Sequence, residues 1–161
     1  MDIKPIARAV ARDFGLPEEL VLAVMDVESS GNTYAVRFEP GYRWLHEPSD
    51  HARRLRITLQ TEITCQRMSW GPLQVMGATA RELEMKDHLP MLSDPEIGLW
   101  YGCAYLRRQL DRYKGNMTDA IAAYNGGSAV VVKPIEGQGA YRNQAYVTKV
   151  LKAMRGLHAV S

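Results

Sequence analysis

A mostly α-helical domain is what this 161-residue sequence predicts, on three observations. Apolar residues recur at three- and four-residue spacing in stretches near both ends and in the middle of the chain. Those stretches are bounded by helix-start residues (Pro17, Asp94-Pro95, Asn116 or Thr118) and helix-stop residues (Gly15, Gly31, Gly126-Gly127). Period-two alternation is confined to a short piece at Leu55, Ile57 and Leu59. The length suits a single domain over residues 1–161 with a sizeable core. At 46% apolar and 24% charged, the composition is that of a globular chain, not a disordered one.

Ile3, Ile6, Ala7, Val10 and Phe14 line one face of a first helix, which Gly15 ends. Pro17 opens a second helix, with Glu18 and Glu19 at the positive end of its dipole. Leu20, Val21, Val24 and Val27 form its buried stripe, and Glu28, one turn beyond Val24, falls on the same stripe. Burying an ionised carboxylate is costly, so a buried Glu28 should hold its proton near neutral pH, as a general acid must. On position alone a second reading stays open, in which Glu28 turns to solvent or pairs with an arginine.

From Asn32 to about Gln66 the helical pattern is lost. Residues 38–42 and 47–50 read as turns, with a short helical piece around Asp50 to Arg54. The alternation over 55–59 predicts an extended or β-hairpin arm with Glu62 on its polar side. So long an irregular segment is expected to form one wall of a groove. Trp70-Gly71-Pro72 predicts a turn, and Leu73 to about Met85 a helix. Asp94 as N-cap and Pro95 at the first position start a helix to about Tyr113, apolar around most of its circumference and hence central. Ala120, Ile121, Ala123 and Tyr124 face inward on the next helix. Ser128 to Gly139 reads as a loop, and Val147, Val150, Leu151 and Met154 mark a last helix.

A formal charge of +2 is mildly basic. The arginine pairs Arg53-Arg54 and Arg107-Arg108 lack interleaved aromatics, so no nucleic-acid partner is expected. Cys65 and Cys103 sit in no metal-binding spacing; no metal or cofactor is expected, and both a disulfide and two free thiols fit the sequence. Asp2, Lys4, Arg8, Arg12 and Asp13 interrupt any signal-peptide core, and the longest uncharged stretches are too short to span a bilayer. The expectation is a monomer made in the cytoplasm without a signal peptide and without stable membrane insertion.

Three stretches carry chemistry together: Glu28-Ser29 at a helix end, Ser69-Trp70-Gly71-Pro72-Leu73-Gln74-Val75-Met76 at a helix start, and Ala123-Tyr124-Asn125-Gly126-Gly127. In type and order they resemble the soluble lytic transglycosylase (SLT) family, relatives of goose-type lysozyme that cleave the glycan strands of bacterial peptidoglycan. The resemblance runs over roughly residues 20–127. It implies a lysozyme-like domain with a groove for the sugar polymer. Glu28 is then the catalytic acid/base, Ser69 and Gln74 contact sugar, and Tyr124 and Asn125 position acid and substrate, with the Tyr124 hydroxyl aimed at Glu28. Tyr124 read without the motif is core filling. The family usually carries Gly-Leu-Met-Gln where this chain has Gly71-Pro72-Leu73-Gln74.

In the implied reaction one acid protonates the glycosidic oxygen between N-acetylmuramic acid and N-acetylglucosamine. Its carboxylate then assists attack by the muramic 6-hydroxyl, giving a 1,6-anhydro end. Because the nucleophile belongs to the substrate, a second carboxylate is unnecessary, unlike hydrolysis. The alternative is a muramidase using water and a second acid; Glu62 is its first candidate, ahead of Glu39 and Asp50, with a role in binding substrate as the intermediate case. Its bland reading is a solvated residue paired with Arg56 or Arg67. A non-catalytic wall-binding or assembly protein is the rival of another class. The biological expectation is a phage or prophage endolysin, reaching the periplasmic wall through a holin.

Overall fold

The computed structural model describes residues 1–130 and 141–158. Its elements run α1 (Lys4–Asp13), α2 (Glu18–Ser29), β1 (Val36–Phe38), α3 (Pro48–Leu55), α4 (Leu59–Gln66), β2 (Met68–Trp70), β3 (Val75–Met76), α5 (Gly77–Glu82), α6 (Pro95–Arg112), α7 (Met117–Gly126) and α8 (Gln144–His158). Short 3-10 turns at Leu89–Ser93 and Ser128–Val130 precede α6 and follow α7. The rest of the loop expected as far as Gly139 lies outside the described residues.

The caps explain where the helices stop and start. Asp94 accepts hydrogen bonds from the backbone of Glu96 and Ile97, and Asn116 from Thr118 and Asp119, which satisfies otherwise orphan donors. Ser30 in a left-handed conformation and Gly31 at φ +76° end α2. The central helix is α6: Leu99, Cys103, Leu106 and Leu110 are buried, with α1 and α7 packed against it, while α2 lies along α8. Leu73 packs so closely on Gly102 that any Cβ there would collide with its side chain. Among the described residues no helix is long and apolar enough to cross a membrane. Cys65 and Cys103 are free, and burial pushes the Cys103 thiol up to about 12.

Two local expectations are overturned. No strand forms over 55–59: Arg56 caps α3 in a left-handed conformation, and Thr58 then accepts from the Thr61 backbone to start α4. Three alternating apolar residues are too few to outweigh a helix cap. The antiparallel sheet lies elsewhere, in the order β1-β2-β3, with Val36 opposite Trp70 and Trp70 opposite Val75. Residues 71–74, expected to lead into a helix, form the turn of the β2–β3 hairpin, and α5 begins only at Gly77. Gly71 at φ +71° lies against the Leu92 carbonyl, where a Cβ has no room.

A third correction concerns Glu62. It lies on α4, is 1% exposed, and is clamped by Arg81 of α5 through Nε–Oε1 at 2.8 Å and Nη2–Oε2 at 3.0 Å. Gln66 donates a further bond at 2.9 Å. Burial raises this carboxyl, but the hydrogen bonds from Arg81 and Gln66 outweigh it and hold Glu62 below the ordinary glutamate range. The side chain is enclosed by these partners and is not part of the groove wall, so it is not placed to touch substrate. The alternation over 55–59 predicts an extended arm for it, and that arm does not form.

Candidate active site

A groove of about 920 Å³ runs between the β-sheet with its following loop and the α6–α7 side of the molecule. Its walls include Arg37 of β1, Tyr42 and Trp44 of the loop after it, Ser69 and Gln74 of the hairpin, Tyr105 and Arg108 of α6, and Tyr124 and Asn125 of α7. Glu28, in the last turn of α2, faces into it. The helix is anchored there by Ser29, whose hydroxyl donates to the Pro72 carbonyl at 2.7 Å and accepts from the Gly31 backbone at 3.1 Å. The Glu28-Ser29 pair thus places one side chain in the groove and uses the next to tie α2 to the hairpin turn.

Burial raises the Glu28 pKa above the ordinary glutamate value, against the opposing pull of a hydrogen bond from Tyr146 and the charge of Arg37. The Tyr146 hydroxyl, from α8, donates to Oε1 at 2.7 Å. Among the described residues no group hydrogen-bonds Oε2, which leaves that oxygen to carry a proton toward a ligand. Burial, then the Glu28 charge, keeps Tyr146 protonated far above neutral pH, so it acts as a fixed donor.

The hairpin residues Ser69 and Gln74 line the groove and bond to one another. Ser69, 2% exposed, donates to Gln74 Oε1 at 2.9 Å. The Gln74 amide in turn donates to the Ala35 and Gly71 carbonyls at 2.9 and 3.0 Å. Gln74 sits at φ +48°, a left-handed conformation that these bonds hold in place. Asn125 is exposed on the opposite wall and accepts from Asn143 at 3.0 Å.

Tyr124 lines the groove, but its hydroxyl does not meet Glu28. It donates to the Leu73 carbonyl at 2.7 Å, joining α7 to the hairpin, while its ring packs on Tyr105 at 5.1 Å. The partner of Glu28 is Tyr146, which sequence reasoning missed. Its signal was present but weak: at helical spacing Tyr146 shares a face with Val150, yet 118 residues separate it from Glu28. Also missed were Arg37, in an ion pair with Glu39, Arg108, in an ion pair with Glu82, and Gln109. Gln109 is 1% exposed and its buried Oε1 has no partner among the described residues, so it offers the groove an acceptor. Of the tryptophans, Trp70 is core, bonded to the Cys65 carbonyl, whereas Trp44 is 71% exposed on the groove wall.

A helical body with a small three-stranded sheet beside a groove into which a half-buried glutamate of raised pKa faces defines the lysozyme-like class of fold. The chain belongs to the transglycosylase SLT domain family, whose model matches residues 5–147. It is 28% identical over 139 residues to membrane-bound lytic murein transglycosylase C of Serratia proteamaculans, and 29% identical over 139 residues to the protein of that name from Yersinia pestis. Each match covers 80% of this chain and 32% of the relative, so the chain spans about a third of the length of those proteins. The fold is similar to that of an inactive mutant of lytic transglycosylase Slt from Pseudomonas aeruginosa. The TM-score is 0.64 at 19% identity, covering 96% of this chain and 24% of the other.

Proposed function

We propose that this chain is a single lysozyme-like catalytic domain that cleaves the β-1,4 bond between N-acetylmuramic acid and N-acetylglucosamine in peptidoglycan, by lytic transglycosylation. The observation that carries the reading is Glu28, the groove carboxylate with no ion-pair partner among the described residues and a raised pKa, in an SLT-family domain. Protonated Glu28 gives its proton to the leaving glycosidic oxygen, and the resulting carboxylate takes the proton of the muramic 6-hydroxyl as that oxygen closes on the anomeric carbon. Tyr146 steadies the carboxylate during the interval when it is charged. Ser69, Gln74 and Asn125 are the proposed sugar contacts, and Trp44 offers a ring face to the polymer.

The muramidase alternative loses its main candidate, since Glu62 is enclosed by Arg81 and Gln66. The other groove carboxylates, Glu39 and Glu82, are in ion pairs with Arg37 and Arg108. A substrate-borne nucleophile fits a groove with one free acid. The test is digestion of purified sacculi with mass spectrometry of the fragments. Anhydro ends support the proposal, reducing ends make the chain a muramidase, and sacculi that stay intact make it a wall binder. The proposal extends to a monomer acting on the periplasmic wall in phage lysis; there, co-expression with a holin lyses cells, and light scattering of the pure chain reports one subunit.

A further inference from the structure

Away from the catalytic groove, two histidines and a glutamate converge where the loop after β1 enters α3. The donor atoms of His46, Glu47 and His51 all lie within 4.8 Å of one another. Tetrahedral zinc, with bonds of about 2.0–2.1 Å, needs its ligand atoms about 3.3 Å apart. Side-chain rotation can close the difference, since His46 and Glu47 are 40% and 66% exposed and His51 is half-buried at the surface. The backbone beneath them is firmly held. Gln66, fully buried, accepts from the His46 N–H at 2.8 Å and donates to the His46 carbonyl at 2.9 Å, and is itself bonded to Glu62. Glu47 adopts φ +43°, a conformation that L-residues seldom take, and this sets His46 and Glu47 against the first turn of α3, where His51 sits.

We propose that His46, Glu47 and His51 bind a divalent transition metal of the zinc type, pinning the Tyr42–Trp44 wall of the groove to α3. Two imidazoles and one carboxylate form a nitrogen-rich set that suits zinc, cobalt or nickel and not the oxygen-seeking magnesium or calcium. Glu47 supplies the charge that offsets part of the cation's. The structural consequence follows from the sequence: Trp44, exposed on the groove wall, stands two residues before His46, and Tyr42 packs edge-on against it at 5.5 Å. A metal held by His46 and His51 fixes the end of that loop.

One neighbour opposes the site. Arg54 Nη2 contacts His51 Nδ1 at 3.0 Å and donates to the Lys86 carbonyl at 2.6 Å. It therefore occupies a ring lone pair that a metal would use, and binding displaces it from His51 while its bond to Lys86 can persist. This makes Arg54 a competitor whose removal tightens binding.

The experiment is calorimetric titration of the metal-stripped chain with zinc chloride in a non-chelating buffer, with magnesium chloride as the hard-cation control. One zinc binds and magnesium does not; His46→Gln and His51→Gln each weaken binding by at least about tenfold, as loss of a ligand should. Arg54→Ala strengthens it. On the wild-type chain, zinc shifts the ring nitrogen resonances of His46 and His51 but not of His88, and hydrogen exchange over residues 42–47 slows. No saturable zinc binding, or binding unchanged in both histidine variants, overturns the site. Binding without slower exchange overturns the pinning. These readouts need no glycan, so they stand or fall separately from the peptidoglycan proposal.

Discussion

Glu28 and Glu62 are both helical glutamates drawn into the protein, and their surroundings set them opposite tasks. At the end of α2, Glu28 meets a neutral phenol, and burial prevails: its pKa rises. Between α4 and α5, Glu62 meets a guanidinium that grips both its oxygens, and the pairing prevails over burial: its pKa falls. The identity of the partner, more than the depth of burial, decides which carboxyl can lend a proton. In the proposed reaction the first is the acid in a groove, and the second is a strut between two helices.

Glu28→Gln should have the largest effect on this contrast. Loss of the general acid is expected to lower turnover of sacculi by about 10²–10⁴-fold or more, with the circular dichroism spectrum unchanged. Near wild-type release of fragments from that variant would remove Glu28 from the reaction. Arg81→Met is next, because it strands a buried charge on Glu62. Urea unfolding should show a loss of about 3–5 kcal/mol, most of it recovered when Glu62→Leu is added. A single variant as stable as wild type would mean the clamp is not structural.

The pH dependence of stability should separate the two sites further. Glu28, raised in the folded state, favours folding below the unfolded value of 4.5 and loses that contribution as pH rises through its folded pKa. Glu28→Gln should therefore melt above wild type at pH 8 and close to it at pH 4. Glu62, lowered in the folded state, contributes above the unfolded value of 4.5, and the contribution is lost as pH falls through its folded pKa. Glu62→Gln should cost most near neutrality and less in acid; parallel melting profiles for the two variants would erase the distinction. The smallest effect is expected from Tyr146→Phe. Removing a donor that lowers the Glu28 pKa moves the alkaline limb of the activity profile to higher pH, at a cost of about 1 kcal/mol for the lost hydrogen bond. An unmoved limb would detach Tyr146 from the proton's energetics.

Much of this was legible in the chain itself. Regular apolar spacing, Asp94 and Asn116 as caps and Gly31 as a stop are local signals, and local hydrogen bonding and side-chain direction act on them directly; the helices and the inward face of Glu28 followed. What waited for the tertiary structure were the pairings: Tyr146 and not Tyr124 on Glu28, Arg81 around Glu62, and a hairpin at 68–76 in place of an arm at 55–59. Each depends on which distant surfaces pack together, and the free energy of such contacts is shared over the whole core, so no short window of residues encodes it.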